Sequence, residues 1–408
     1  MAEGVQPVGE QRRWFVPGVR AIGLASFLSD LGHEVPTALL PSLLTTTLGL
    51  GADRAAATLG AIEGVADGAA GVARLGGGPL ADDPHRRRAT AVGGYAMTAV
   101  FSSLIAATTA AWQVGVLRAV AWGARGARSP SRNALLADLV PASAYGRAYG
   151  FERAMDNLGA IGGPLLALGL VALVGVRAAI ALSFIPAALA AVAIVVAVRS
   201  APTLGARERR PLRIHVRSVL HGRLRGLVAG IAAFELANVA ATLLILRALN
   251  LLSPGESYSA TALVLYAGYN LAATLIAVPG GVVTDRRGPD AVLVAGAVAF
   301  AAAFTGFAFV GASVGALAAC FVVAGAGIGL AESAQSAAVA THAPVELRGS
   351  AFGLVAGVQA FANLAASAVA GLLYATVSPR AAFLYLAGWA ALSAGLFCVT
   401  LVRRREGH

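Results

Sequence analysis

Two carboxylates lie on one face of the first long apolar segment of the sequence. Asp30 and Glu34 stand four residues apart, which places their side chains one turn apart on the same face of a helix. The two like charges repel each other and burial disfavours both, so at least one of them should take up and release a proton. The pair is our candidate for proton coupling. The alternative is a structural pair that an arginine such as Arg118 compensates.

Other charged and amide side chains also interrupt the apolar segments. A charge at the centre of a bilayer costs about 2.5–3.5 kcal/mol, so these side chains should face protein or a water-filled cavity rather than lipid. Glu63 and Asp67 are again four residues apart, and a gating contact is an equal alternative for them. We expect a substrate cavity to be lined by Arg118, Asp156, Glu63, Asp67, Glu235, Asn238, Glu332, Gln359 and Asn363.

The residue types exclude several kinds of chemistry. All 31 basic residues are arginine. Without lysine, neither a Schiff base nor the Gly-Lys-Ser/Thr end of a Walker A loop can form. The six histidines and two cysteines show no metal-ligand spacing, and no nucleophile–base arrangement is visible. We therefore expect no enzyme activity, no cofactor and no bound metal.

The composition indicates that a membrane surrounds these side chains. Hydrophobic residues make up 58% and charged residues 12% of the 408 residues, against roughly 45–50% and 25% in soluble domains. A membrane-crossing helix needs about 20 apolar residues, and open sheet edges cannot lie in lipid. The sequence predicts an all-α integral membrane protein with twelve transmembrane helices. The predicted spans are 17–43, 55–73, 89–109, 112–137, 145–174, 177–198, 223–249, 258–279, 290–311, 313–338, 349–374 and 380–402.

The basic residues indicate how the chain is oriented. A net charge of +11 is compatible with nucleic-acid binding, but the arginines cluster in short loops between apolar segments, which is typical of cytoplasmic membrane loops. The richest stretch is 199–222, and arginines also flank both ends of the chain. We expect the lipid bilayer rather than nucleic acid as a partner, a bacterial cytoplasmic membrane as the location, and both termini in the cytoplasm.

The sequence repeats a short motif at a fixed distance. Gly78-Pro-Leu-Ala-Asp82 and Gly281-Val-Val-Thr-Asp285 lie 203 residues apart, and arginines follow each copy. Glycines alone would match often by chance in this chain, but a Gly-x-x-x-Asp before a basic run is a rarer coincidence. The repeat therefore indicates two halves of similar structure in parallel orientation.

The repeat divides the chain into two predicted domains. Gly126 and Gly329 share the same offset of 203 residues. We expect an N-terminal six-helix bundle over residues 1–198 and a C-terminal six-helix bundle over 223–408. The arginine-rich residues 199–222 should form a cytoplasmic linker between them.

The segment from Gly78 through Asp82 to Arg86 resembles the loop signature of the major facilitator superfamily, Gly-x-x-x-Asp-Arg-x-Gly-Arg-Arg. It departs from the signature at Asp83 and His85. The third, sixth, ninth and twelfth spans also lack charged or amide side chains in their cores, as the outermost helices of that family do. The resemblance implies the major facilitator fold of two pseudo-symmetric six-helix bundles. It also implies gating-loop motifs at Gly78, Asp82, Arg86, Gly281, Asp285 and Arg286.

The fifth span carries a second family motif. The run Gly159-Ala-Ile-Gly-Gly163-Pro164 is similar to the Gly-x-x-x-Gly-Pro motif of drug/proton antiporters of the superfamily, while ordinary small-residue helix packing is the alternative. We expect Gly163 to pack closely against the other half of the protein in one of its conformational states.

The resemblance implies a transport function. It points to a monomeric secondary transporter that exports a small amphiphilic or cationic compound by proton antiport and alternating access. A proton-coupled importer of a nutrient or metabolite and a lipid flippase of the same fold are the alternatives.

The charges of the candidate cavity predict a substrate preference. Its acids outnumber the main buried bases, Arg118 and Arg153, and we expect Arg125 and Arg128 nearer the cytoplasmic end of their span. An excess of acids concentrates cations, so cationic or neutral substrates are expected.

Overall fold

The computed structural model describes residues 14–201, 219–220, 222–252 and 260–406, and these residues form helices with no strand among them. Most of the predicted linker 199–222 lies outside the described residues, as do residues 1–13 and the last two residues. The α-helices are α1 Pro17–Ser42, α2 Ala52–Asp82, α3 Pro84–Leu104, α4 Ala111–Leu139, α5 Tyr145–Leu182, α6 Phe184–Ser200, α7 Arg223–Ala237, α8 Ala241–Leu252, α9 Ala260–Arg287, α10 Pro289–Phe309, α11 Val314–His342, α12 Arg348–Thr376 and α13 Pro379–Glu406.

Local sequence signals set several helix starts. Proline occupies the first turn of α1, α3 and α10, where its missing N–H costs no intrahelical hydrogen bond. At α3 the carboxylate of Asp83 also accepts hydrogen bonds from the backbone N–H groups of His85, at 2.9 Å, and Arg86, at 3.4 Å. Asp83, which departs from the family signature, therefore serves as the N-cap of α3.

The fifth and sixth predicted spans meet at a glycine. The stretch named α5 is interrupted by a kink at Gly175, whose φ of 79° and ψ of 172° are a conformation that residues with a Cβ rarely adopt. The chain changes direction there, between the predicted spans 145–174 and 177–198. The sixth span therefore comprises the end of α5 together with α6.

The seventh predicted span is not one continuous helix. Residues 238–240 separate α7 from α8, and side chains of α12 satisfy the opened backbone. Asn363 donates to the Asn238 carbonyl at 2.7 Å, and Ser367 accepts from the Ala240 N–H at 3.0 Å. The prediction of an unbroken helix over 223–249 was wrong because the apolar pattern continues across the break while distant side chains replace the lost helical hydrogen bonds.

Charge separates two groups of helices. Eight helical stretches among the described residues are long and apolar enough to cross a membrane. The helices α1, α2 and α4 are not among them, and these three carry most of the candidate charged residues of the N-terminal half. The described fold confirms the expected all-helical membrane architecture.

The described residues form two compact units. The first comprises 14–148, 155–201 and 344–354, and the second comprises 149–154, 219–343 with its gaps, and 355–406. A cluster of phenylalanines packs the core of the second unit, with Phe307 stacked on Phe383 at 5.3 Å between ring centroids and Phe300 edge-on to Phe304 at 5.0 Å.

Glycines allow the closest helix contacts in both units, and these contacts repeat. A Cβ on Gly126 of α4 would collide with the carbonyl oxygen of Ala70 in α2. A Cβ on Gly329 of α11 would lie 2.5 Å from the carbonyl oxygen of Ala273 in α9. Both members of the second pair lie 203 residues beyond those of the first, so the repeat seen in the sequence corresponds to one packing contact used twice.

We expect Gly126→Val to destabilise the protein, because the added side chain would force α2 and α4 apart. Overpacking of this kind costs about 1–3 kcal/mol. The matched control is Gly123→Val in the same helix, where no atom lies within 4 Å of an added Cβ. Thermal unfolding of the detergent-solubilised variants measures the difference, and equal midpoints would contradict the packing argument.

Candidate functional site

The acidic pair of α1 faces an arginine of α4. Arg125 donates from Nη2 to both carboxylate oxygens of Asp30, at 3.0 and 3.2 Å, and from Nη1 to the ring of His33. His33 Nδ1 lies 3.0 Å from the carbonyl oxygen of Ser29 and donates to it. With its proton on Nδ1, His33 can accept from Arg125 on Nε2, and with a proton on Nε2 it can donate to a carboxylate.

Glu34 forms the open end of this cluster. Its Oε1 lies 3.2 Å from His33 Nε2, and 26% of its side chain is exposed, compared with 3% for His33 and 6% for Asp30. His33 Nδ1 is also 3.4 Å from Asp30 Oδ1. A proton arriving from water would meet Glu34 first, and His33 lies within reach of both carboxylates.

A second ion pair lies beside the first. Arg118 Nη2 is 3.0 Å from Glu63 Oε1, and Arg118 Nη1 donates to the Thr37 hydroxyl at 3.0 Å. The guanidinium of Arg118 stacks over the ring of Trp122 at 3.4 Å, and the same ring meets His33 edge-on at 5.1 Å. Trp122 therefore links the two pairs and replaces water around Arg118, which is almost completely buried.

Two further arginines continue along α4. Arg128 donates to the Ser29 hydroxyl at 2.7 Å and stacks over Tyr95 at 3.5 Å. Arg132 lies 3.6 Å from Asp156 of α5. Both guanidinium groups are buried.

This arrangement corrects the expected charge balance. We expected Arg125 and Arg128 to lie near the cytoplasmic end of their span and to matter little, but they contact Asp30 and Ser29 of α1. In this cluster the arginines of α4 match the acids in number, while the expected excess of acids over the whole cavity, which also counts Asp67, Glu235 and Glu332, stays a prediction. Four arginines stand with four acids: Arg118, Arg125, Arg128 and Arg132 with Asp30, Glu34, Glu63 and Asp156.

The predicted antiporter motif packs directly on the acidic face of α1. A Cβ on Gly159 would lie 2.9 Å from the Cβ of Asp30, and one on Gly163 would collide with the Cβ of Glu34. The close contact of Gly163 in this structure is thus α1 of the same unit, and packing against the other half in one conformational state stays a prediction. Pro164 is exposed. Small residues in α5 let its backbone close over both candidate coupling residues.

The first gating motif contacts the start of α12. Asp82 accepts hydrogen bonds from the backbone N–H of Ser350, at 2.9 Å, and from the Ser350 hydroxyl. A Cβ on Gly78 would lie 3.1 Å from the carbonyl oxygen of Gly349. Asp82 therefore holds backbone donors at the N-terminus of α12, where a negative charge is favourable. Arg86 instead approaches the N-cap Asp83, at 3.7 Å.

The second gating motif lies at the end of α9. Gly281 is buried, Asp285 is half-buried and Arg286 is exposed. Gly288 then ends the segment with φ of 83°, immediately before Pro289. Gly281, Asp285 and Arg286 thus lie in the last two turns of α9, as Gly78 and Asp82 lie in the last turns of α2.

The second unit brings four predicted residues together. Glu235 accepts hydrogen bonds from Asn238 at 2.9 Å and from Gln359 at 3.2 Å. Gln359 also donates to Gln335 at 2.7 Å, and Asn363 binds the backbone of Asn238. These four predicted residues together with Gln335 form a cluster that we call the Glu235 cage. Its members are Glu235, Asn238, Gln335, Gln359 and Asn363.

Two other predicted residues form no hydrogen bond with either cluster in the described contacts. Glu332 pairs with Arg153 at 3.3 Å, within the second unit. Asp67 is exposed on α2. The structure groups Glu63 with Arg118 and leaves Asp67 outside the charged cluster of the first unit.

The site contains residues that sequence reasoning missed or ranked low. Arg125, Trp122 and Gln335 belong to the clusters but were not among the predicted site residues. A signal for Arg125 was available, because Arg118, Arg125 and Arg132 are spaced by seven residues and so lie on one helix face. That row indicates a shared partner, which proves to be α1.

Comparison with known proteins places these features in a family. The model of the Major Facilitator Superfamily matches residues 22–265 and 226–408. An uncharacterised MFS-type transporter of Methanocaldococcus jannaschii is 25% identical over 399 residues, which are 94% of this chain and 94% of that protein.

Solved structures share the fold. The human organic anion transporter MFSD10 superposes with a TM-score of 0.77 at 17% identity, covering 96% of this chain and 100% of that one. A variant of the Escherichia coli fucose:proton symporter FucP gives a TM-score of 0.75 at 17% identity, with 95% of this chain and 99% of that one covered.

We expect Gly163→Leu to reduce transport strongly, because the leucine would displace Glu34 and separate α5 from α1. The matched control is Gly169→Leu, further along α5, where no atom lies within 4 Å of an added Cβ. Transport by the two variants is compared in vesicles at equal protein levels, and equal rates would refute the importance of this contact.

We expect Asp82→Asn to loosen the start of α12, because it removes a charge-assisted hydrogen bond worth about 1.5–3 kcal/mol. Amide hydrogen exchange of residues 348–354 should become faster, and turnover should slow at unchanged expression. Ser350→Ala removes the partner hydroxyl, so the double variant should show less than the sum of the two effects. Unchanged exchange in Asp82→Asn would contradict the assignment.

Proposed function

Since the chain belongs to the major facilitator superfamily of secondary transporters, we propose that it exports a small amphiphilic or cationic compound in exchange for protons. The observation that carries this proposal is the cluster of Asp30, His33, Glu34 and Arg125, over which the glycines of α5 close. The cluster contains one buried and one partly exposed carboxylate, and the glycines of α5 pack directly against both side chains.

Proton uptake at Asp30 would change the forces on α4. In the described arrangement Asp30 compensates the charge of Arg125 through two hydrogen bonds. A protonated Asp30 loses most of this attraction, and a buried guanidinium left without its partner is costly. Arg125 would then need another acceptor, and Glu34 and Asp156 are the other acids of the cluster. Such a change can bias the protein between two conformations.

His33 offers a route for the proton. Its ring lies between Glu34 at 3.2 Å and Asp30 at 3.4 Å. Glu34 can receive a proton from water because part of its side chain is exposed, and a neutral imidazole can accept on Nε2 while releasing from Nδ1. The three side chains can therefore act as a relay from the surface to the buried ion pair.

The energy available supports export against a gradient. Moving one charge across 100 mV is worth about 2.3 kcal/mol, so one proton per cycle could sustain an appreciable concentration ratio of substrate. The direction rests on the similarity of the Gly159–Pro164 run to the antiporter motif. A proton-coupled importer is the second candidate, and the assay below distinguishes the two because it can be run in either direction.

The remaining assignments rest on the sequence pattern. The arginine-rich loops support a cytoplasmic position for both termini, in the cytoplasmic membrane of a bacterium. We propose a monomer, with a small-molecule substrate, protons and the lipid bilayer as its partners. The proposal divides the chain into bundles at 1–198 and 223–408 around the linker 199–222.

We expect Asp30→Asn and Glu34→Gln to uncouple transport from the proton gradient, because neither amide can take up a proton. In proteoliposomes with an imposed pH gradient, export of ethidium should fall at least about tenfold, equivalent to about 1.4 kcal/mol, while downhill exchange persists. Asp67→Asn neutralises an exposed acid of the same unit and should keep coupling. The proposal fails if both single variants and the double variant retain full gradient-driven transport. Gradient-driven uptake in place of export would establish the importer.

A further inference from the structure

The Glu235 cage holds a buried carboxylate with amides. Only 4% of Glu235 is exposed, and its contacts are the side-chain amides of Asn238 at 2.9 Å and Gln359 at 3.2 Å. Gln335 is also buried and ties Gln359 in place at 2.7 Å. The carboxylate is thus fixed in position by neutral donors that are themselves positioned by α11 and α12.

This compensation differs from that of the acids in the first unit. Asp30 faces Arg125 and Asp156 faces Arg132, so each has a cation beside it. In the second unit the charged contact is made by Glu332, which pairs with Arg153 at 3.3 Å. Amide hydrogen bonds lessen the cost of burying a carboxylate but do not neutralise its charge.

The carboxylate of Glu235 retains capacity for another donor. An ionised carboxylate offers about four acceptor positions, and the two amide hydrogen bonds occupy two of them. A cationic group that donates hydrogen bonds would fill the remaining positions and supply the missing charge.

The helix break next to Glu235 favours a cation in the same place. Helix α7 ends at Ala237, about half a turn beyond Glu235, and residues 238–240 are not helical. The C-terminal end of a helix carries a partial negative charge, and interrupted helices bind cations through such ends in other transporters. Asn363 and Ser367 form hydrogen bonds with the open backbone and stabilise it. The break is therefore supported by specific contacts within the unit.

The members of the cage differ in exposure. Asn238, Gln359 and Asn363 are half-buried, while Glu235 and Gln335 are buried. The half-buried amides carry both donors and acceptors and can bind polar groups adjacent to a charge. We propose that the Glu235 cage binds the protonated amine of the transported compound, which rests on the proposed export function and assigns substrate and proton to different clusters.

A test on the unaltered protein uses chemical protection. Dicyclohexylcarbodiimide modifies carboxyl groups in apolar surroundings, and peptide mass spectrometry reports the modification at Glu235. 4-Phenylbutylamine should slow this modification at least about tenfold at saturation, corresponding to about 1.4 kcal/mol, whereas the uncharged 4-phenylbutanol should not. Protection by sodium chloride relative to potassium chloride, with none by the amine, would make the cage an alkali-cation site and overturn the proposal.

Variants separate this inference from the proposed function. Glu235→Gln keeps the shape of the side chain and should weaken 4-phenylbutylamine binding at least about tenfold, again about 1.4 kcal/mol, without changing the weak binding of 4-phenylbutanol. Asp30→Asn should retain amine binding while losing coupling to the proton gradient. Glu346→Gln, at the turn before α12, controls for loss of one negative charge and should bind the amine as the parent protein does.

The outcomes distinguish the two proposals. Amine binding that survives Glu235→Gln but is lost in Asp30→Asn would place the cation in the first unit and overturn the inference, while the proton-coupled function would stand. Absence of gradient-driven transport in the parent protein, with amine protection of Glu235 intact, would overturn the function alone. If Glu235→Gln does not fold, the protection experiment on the parent protein still decides.

Discussion

The structure depends on the cost of placing charge in a low-dielectric environment. A single uncompensated charge at the middle of a bilayer costs about 2.5–3.5 kcal/mol, and α1, α2, α4 and α5 together carry many charged side chains. The first unit meets this cost by pairing, as in Asp30 with Arg125 and Arg118 with Glu63. Pairing in turn requires that α1 and α4 face each other over several turns, which fixes their rotation about their axes.

Close helix approach is the second requirement, and glycine provides it. Ion pairs between helices are short, so the backbones must come near enough for the side chains to meet without strain. Gly126 allows α4 to rest on α2, and Gly159 and Gly163 allow α5 to rest on α1. Gly159 and Gly163, which the sequence alone would also explain as ordinary helix-packing glycines, therefore determine the space around Glu34. Packing and chemistry are not alternatives at these positions, because the helix that closes over the acids contacts them directly.

The membrane helices could be predicted from the sequence, but the side chains that contact each other between helices could not. Long apolar runs identify membrane helices because lipid imposes a length, and Asp30 stands out because an acid in such a run is rare. The partner of Asp30 could not be assigned, since it depends on the rotation of α4, and Arg125 was placed near a helix end from its distance along the span. The break after Ala237 was invisible because Asn363, more than a hundred residues away, replaces the lost hydrogen bond. Gly175 was one glycine among 49.

The two clusters hold their carboxylates in different ways, and this difference suits them to different tasks. In the proposed mechanism, proton uptake by Asp30 would remove the charge attraction of its hydrogen-bonded ion pair with Arg125 and would thereby change the forces that position α4. If Glu235 binds a cation as proposed, the amides of Asn238 and Gln359 could keep donating to it, so the cage would not need to rearrange to bind or release the cation. On these proposals the arginine-paired Asp30 would act as the switch and the amide-held Glu235 as the receptor. An exchanger needs both, because the ion that drives the cycle must change the conformation, while the compound that is carried must bind without having to drive the change itself.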